Sequence, residues 1–150
     1  MPFHGDFNEP VTVQVEPIKD VDGGWLVTIA GGLIDVVRSA TIREEVDSCF
    51  QDGAAWLVLD YTNLRAMNAT GVGKAAQIAK DAADSGGGAV IVAPVERERP
   101  SVGSYLRMCL PSVNPPDWFR FAEDRDEGMG LLRQMAGSNH QDRNHTGGRE

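Results

Sequence analysis

The segment Asn68-Ala69-Thr70-Gly71 places a hydroxyl group at the predicted start of a helix. Asn68 is a residue type that often caps a helix N-terminus, so Thr70 falls within the first turn. Backbone N–H groups are unsatisfied there and the helix dipole is positive. A phosphate on the Thr70 hydroxyl would therefore be well tolerated. The sequence predicts an exposed threonine suited to phosphorylation.

Groups that could act as a catalytic base or a metal ligand are scarce in the predicted core. All three histidines, His4, His140 and His145, lie in the predicted loose ends, so no imidazole is at hand to activate a nucleophile. No two cysteines have CxxC spacing, which argues against a zinc site. Lys74 lies one helical turn after Thr70, but a solvated lysine is the favoured interpretation. We expect no enzyme activity, no cofactor and no metal.

Two phosphate-related patterns fail on inspection. Residues 71–74, GVGK, would belong to a P-loop only with Gly at position 68 and Ser or Thr at 75, where the chain has Asn68 and Ala75. Asp60 follows an apolar strand, like the phosphoacceptor of a receiver domain. Receivers also need an acidic pair after the first strand and a lysine after the fifth, but no lysine follows Lys80. Asp60 is interpreted as a turn residue.

Composition limits the classes of partner. The 150 residues suit one domain, and a formal charge of −8 argues against nucleic acid or an anionic membrane surface. No apolar run can span a bilayer and the N-terminus lacks a signal-peptide pattern, so we expect a cytoplasmic protein without membrane insertion. Cys49 and Cys109 are predicted to be buried as free thiols, and Met108 is predicted to pack in or near the core.

Alternating strand and helix patterns fill residues 11–136, between a flexible arm at 1–10 and a tail at 137–150 predicted to be disordered. The predicted order is β-β-α-β-α-β-α-β-α, with strands at 11–15, 25–29, 54–59, 89–93 and 118–121 and helices at 41–50, 69–84, 100–110 and 124–135. This order predicts an α/β fold with a mostly parallel sheet and one antiparallel edge strand. Because parallel strands end at one edge, Asp35 and Thr70 are expected to be neighbours.

Three segments in this order resemble the STAS domain of anti-sigma-factor antagonists and sulfate transporters. Residues 26–35, LVTIAGGLID, are similar to the family's strand followed by G-x-L-D. Residues 57–73 are similar to its apolar strand, polar turn and D-S-S-G-L-G helix start, here NATGVG. Residues 88–92 fit its next strand. The resemblance covers residues 11–135 and implies a STAS-like fold.

The resemblance also implies a function. In such antagonists a partner anti-sigma factor, which is also a serine/threonine kinase, phosphorylates the hydroxyl residue before the glycine, here Thr70. Asp35 matches the family's loop aspartate. The unmodified form binds the kinase, the phosphorylated form does not, and a phosphatase restores binding. Asn68 replaces the usual aspartate and Thr70 the commoner serine. The expected partner-binding residues are Asp35, Asn68, Ala69, Gly71, Val72 and Lys74.

Two other functions compete with this one. The chain could be an unphosphorylated STAS docking module of a transporter or stress-signalling scaffold, using the same helix as its contact face. A small enzyme is the third hypothesis, and the lack of an acid–base constellation in the predicted core disfavours it. In-vitro phosphorylation distinguishes the first two hypotheses.

Overall fold

The computed structural model describes residues 10–34, 36–95, 101–110 and 115–148. These residues form five strands and four helices in the predicted order. The strands are β1 (Thr12–Pro17), β2 (Gly24–Ile34), β3 (Trp56–Met67), β4 (Gly88–Val92) and β5 (Phe119–Ala122), and the helices are α1 (Val36–Gln51), α2 (Ala69–Asp84), α3 (Val102–Cys109) and α4 (Arg125–Gly148). The mixed α/β class is as the sequence predicted.

The five strands form one sheet in the order β1-β2-β3-β4-β5. β1 pairs antiparallel with β2, and the other neighbours are parallel, which confirms the predicted edge strand. Helices α1, α2 and α3 contribute Val46, Ile78 and Leu106 to one core cluster. Leu132 of α4 belongs to a second cluster with Trp56 and Val58. The sheet is therefore covered by helices on both faces.

β2 and β3 extend well beyond their predicted ends. They stay paired from Gly31 beside Leu64 to Ile34 beside Met67, where the sequence predicted a loop and a polar turn. Gly31 has φ 127°, and a Cβ there would clash with the carbonyl oxygen of Pro10. Glycine at this position lets the chain before β1 cross closely over β2. The long pair carries the backbone up to the start of α2.

A β-bulge allows β3 to continue through its polar residues. The pairing between β2 and β3 shifts between Thr28 and Ala30, which leaves one extra residue on β3. Asp60 stabilises the bulge, because its Oδ1 accepts a hydrogen bond from the backbone N–H of Thr62 at 2.9 Å. The predicted turn after Leu59 is therefore wrong. The local polar pattern is that of a bulged strand.

Asp60 is a buried ion-pair partner rather than a turn residue. It is 3% exposed, and its Oδ2 lies 3.0 Å from Nε of Arg125, the first residue of α4. Nη2 of Arg125 donates to Oγ1 of Thr28 at 3.1 Å. The turn interpretation of Asp60 is thus wrong. The guanidinium joins the start of α4 to the two strands that flank the bulge.

Several smaller predictions are corrected at the helices. α1 begins at Val36, five residues before the predicted start, and α4 continues to Gly148 through the tail predicted to be disordered. No proline interrupts the sequence after Pro116, so no residue there forces a helix to stop. Cys49 is buried and Cys109 exposed, both as free thiols.

The geometry of the short helix α3 explains why Met108 and Cys109 are exposed although the sequence predicted them to be buried. Its inward stripe consists of Val102 and Leu106, one turn apart. Met108 lies two residues after Leu106 and thus on the opposite side of the helix, where its side chain is 82% exposed. Cys109 is the last helical residue. The predicted burial of Met108 and Cys109 is therefore wrong.

Candidate functional site

Helix α2 begins at Ala69, as predicted, with Asn68 as its N-cap. Asn68 has extended backbone geometry, and its side-chain Oδ1 accepts a hydrogen bond from the N–H of Gly71 at 3.0 Å. Its own N–H donates to the carbonyl of Ile34 at 3.4 Å. The cap therefore continues directly from the β2–β3 ladder, and the rigid strand pair fixes the position of the first helical turn.

Thr70 lies in this first turn and is partly accessible to solvent. Its hydroxyl forms no hydrogen bond with the described part of the chain, because the capping bond comes from Asn68 instead. Ala69 beside it is exposed. The structural role that a threonine could have here, capping its own helix, is thus filled by another side chain. The hydroxyl remains available for chemistry from outside.

Gly71 and Val72 are packed against the rest of the domain. Both are buried, Val72 at 6% exposure. A Cβ at Gly71 would lie 2.7 Å from Cγ of Met67 and 2.9 Å from Cγ2 of Ile34, so the missing side chain lets α2 sit close to the strand ends. The expectation that Gly71 and Val72 contact a partner stays a prediction.

The other predicted contact residues divide by position. Asn68, Ala69 and Lys74 all lie on the first two turns of α2 or its cap and are at least partly accessible. Their common location makes one continuous surface around Thr70. Asp35, the predicted neighbour of Thr70, lies outside the described residues, so its proximity stays a prediction.

Two basic side chains lie on the segments that meet at this end of the sheet. Arg65 near the end of β3 is exposed, and Lys74 on α2 is partly accessible. Among the described residues neither forms an ion pair, whereas five other cations do. Sequence reasoning missed Arg65 because it assigned the residue to a turn. The chain carries a net charge of −8, so this basic pair stands out.

Neither a metal centre nor a membrane span is found in the described part of the chain. No group of three or more His, Cys, Asp or Glu side chains is arranged to hold a metal ion there. Within the same residues, the helices are too short or too polar to cross a bilayer.

The fold is that of the anti-sigma factor antagonists, a STAS-like α/β fold. The structure resembles an anti-sigma factor antagonist from Mycobacterium paratuberculosis, with a TM-score of 0.65, 19% identity, and coverage of 83% of this chain and 95% of that one.

Two further structures are of SpoIIAA. Its unphosphorylated form, described as an anti-sigma factor antagonist, matches with a TM-score of 0.60 and 15% identity over 81% of this chain and 98% of that one. The phosphorylated form of the Bacillus cell fate determinant SpoIIAA gives 0.54 and 15% over 81% and 100%. No family model and no curated protein matches the sequence. The likeness confirms the fold expected from the sequence resemblance.

Proposed function

We propose that this chain is an anti-sigma-factor antagonist that works as a phosphorylation-controlled partner switch. The unmodified protein binds an anti-sigma factor with serine/threonine kinase activity, and phosphorylation of Thr70 blocks that binding. The observation that supports this most is the Thr70 hydroxyl, which is accessible on the first turn of α2 and has no hydrogen-bond partner within the described residues. The protein acts in the cytoplasm by binding rather than by catalysis.

Charge and position explain how one phosphate could control the complex. A phosphate adds roughly −1.5 to −2 charges at neutral pH and considerable bulk at the contact surface. The N-terminus of α2 accommodates that charge, so the domain keeps its fold. A loss of about 3 kcal/mol in binding free energy would weaken the complex by more than a hundredfold. A protein phosphatase that removes the group would restore binding.

Phosphorylation in vitro tests the proposal. The purified chain is incubated with Mg-ATP and each anti-sigma kinase of the same organism, and the modified residue is mapped by mass spectrometry. We expect phosphate on Thr70, loss of modification in Thr70→Ala, and retention in Thr70→Ser. Thr41→Ala is the matched control, since Thr41 is an exposed threonine on α1, away from the bulge.

Binding measured by calorimetry completes the test. Thr70→Glu should lose at least about a hundredfold in affinity for the kinase while circular dichroism and melting temperature stay unchanged. Thr41→Glu places the same charge on an exposed threonine of α1 and should bind normally. Tight binding by Thr70→Glu would refute the switch. Binding to a transporter or scaffold protein with no modification of Thr70 would instead identify an unphosphorylated docking module.

A further inference from the structure

A groove opens between the end of β3 and helix α3, next to the Thr70 surface. Its volume is about 360 Å³, close to the lower limit of ~300 Å³ for ligand sites in proteins. Arg65 and Met67 line it from β3, and Ser101, Tyr105 and Met108 line it from α3 and its N-cap. Met67 directly precedes the N-cap Asn68. The Met67 side chain also lies against Gly71, the residue after Thr70, so the groove adjoins the first turn of α2.

The two serine hydroxyls at the start of α3 in this groove already have partners. Oγ of Ser101 caps the helix by accepting from the N–H of Ser104 at 3.1 Å, and the two serine hydroxyls lie 3.1 Å apart. These hydroxyls therefore do not indicate an anion-binding site. The groove instead offers an aromatic ring and two methionine side chains, of which Met108 is 82% exposed to water. Such adaptable apolar groups are typical of protein-binding surfaces.

The charge of Arg65 indicates which polar group of an occupant would fit beside its apolar side chain. Arg65 lies at the groove and forms no ion pair with the described residues. The rest of the chain is strongly acidic, with a net charge of −8. The guanidinium of Arg65 can present a planar fork of donors to a carboxylate. The acidic remainder of the chain would repel the same carboxylate at other positions. Arg65 therefore favours an occupant that carries a carboxylate.

We propose that this groove, formed by Arg65, Met67, Ser101, Tyr105 and Met108, receives a segment of the kinase partner that carries an apolar side chain beside a carboxylate. The apolar side chain fills the space between Tyr105 and the methionines, and the carboxylate pairs with Arg65. The inference rests on the proposed function, because it extends the contact surface of Thr70 toward α3. It adds a second anchor that fixes how the kinase sits over the hydroxyl.

The experiment uses the full chain and the anti-sigma kinase that modifies Thr70, with affinity measured by calorimetry. Arg65→Glu and Met108→Ser should each raise the Kd by about tenfold or more. Arg133→Glu is the charge control, since Arg133 lies on α4 and pairs with Asp20. Val95→Ser is the apolar control, since Val95 is 42% exposed and lies outside the groove. Both controls should bind within about twofold of wild type, and all four should melt as cooperatively as wild type.

Cys109 offers an independent reporter without mutation. It is exposed and follows Met108 directly, so a seated partner should slow its alkylation by iodoacetamide by about tenfold or more. Cys49 is the internal standard, because burial, together with nearby Asp52 and Glu45, raises the pKa of its thiol and keeps it unreactive. Mass spectrometry of the two cysteine peptides follows the alkylation of Cys109 and checks in the same sample that Cys49 stays unmodified.

The outcomes separate this inference from the function on which it rests. If the kinase binds and modifies Thr70 but Cys109 reactivity and both groove variants are unchanged, the groove proposal is wrong and the switch stands. If no anti-sigma kinase binds the wild-type chain, both fail. Cys109 protection in the free protein that Phe7→Ser relieves would identify the chain's own N-terminal segment as the occupant, and concentration-dependent protection a second copy. Either result overturns the proposal.

Discussion

Replacing Asp60 by asparagine removes a buried carboxylate with almost no change in shape. Its two oxygens accept from the N–H and the hydroxyl of Thr62 and from Nε of Arg125. The side-chain amide that takes the place of the carboxylate cannot serve all three donors, since one of its ends is itself a donor. Because both Thr62 donors share Oδ1, the amide oxygen can keep the bulge bonds, and the substitution chiefly removes the ion pair that attaches the start of α4 to β3.

The magnitude follows from burial. Hydrogen bonds to a charged group contribute roughly 1.5–3 kcal/mol each, and breaking a buried ion pair costs about 3–5 kcal/mol. The Asp60 side chain is 5% exposed, but that of Arg125 is 45% exposed and can turn toward water. We therefore expect Asp60→Asn to lower the free energy of unfolding by about 3 kcal/mol, the lower end of that range. For a domain with a total of about 5–15 kcal/mol this is a large fraction.

Urea denaturation followed by tryptophan fluorescence measures the change. Arg133→Ala is a matched control on the same helix, because its ion pair with Asp20 joins side chains that are 47% and 58% exposed and should contribute at most about 1 kcal/mol. Arg125→Ala should cost at least as much as Asp60→Asn, since it leaves a carboxylate buried without its cation. If Asp60→Asn lies within about 0.5 kcal/mol of wild type, the proposed role of this pair is refuted.

Two other substitutions test how the site is packed. Gly71→Ala should lower the free energy of unfolding in urea by about 1–3 kcal/mol, because the added Cβ would crowd Met67 and Ile34. A Cβ at Gly73 on the same helix meets nothing within 4 Å, so Gly73→Ala should raise that free energy by up to about 1 kcal/mol. Equal effects of the two substitutions would contradict the packing argument. Burial raises the pKa of the Tyr61 phenol. The stability that depends on the neutral phenol is complete below about pH 10, the usual tyrosine pKa. Above about pH 10 the free energy of unfolding falls by up to about 1.4 kcal/mol per pH unit, because the phenol ionises in the unfolded chain first. Tyr61→Phe should remove that part of the alkaline loss measured between pH 9 and 11, and an unchanged loss would count against it.

The element order and the start of α2 could be predicted because their signals are local. A capping asparagine followed by small inward residues at helical spacing defines α2 from Ala69 to Asp84, and the structure gives the same bounds. The apolar centre of β3 and the glycines before β4 were equally clear. In each case the residues that decide the structure lie next to each other in the chain.

The features that were missed depend on distant residues. Asp60 and its neighbours form a polar segment that favours a turn when read alone, yet Arg125, 65 residues later, and β2 hold the segment as a strand. The exposure of Met108 likewise depends on where α3 ends and what it covers. Arg65 was overlooked for the same reason, since a cation at a groove has no signature when its segment is assigned to a loop.

The contrast between local signals and contacts of distant residues also applies to the Thr70 surface and the groove. The threonine is defined by its own helix start, but the angle at which that helix leaves the sheet is set by the extended pairing that ends with Ile34 beside Met67. The bulge held by Asp60 fixes that pairing, and Met67 reaches both Gly71 and the groove. A change at Asp60 that disturbs the bulge should therefore alter binding of the proposed kinase partner without touching any proposed contact residue, because the position of the Thr70 surface depends on the register of these two strands.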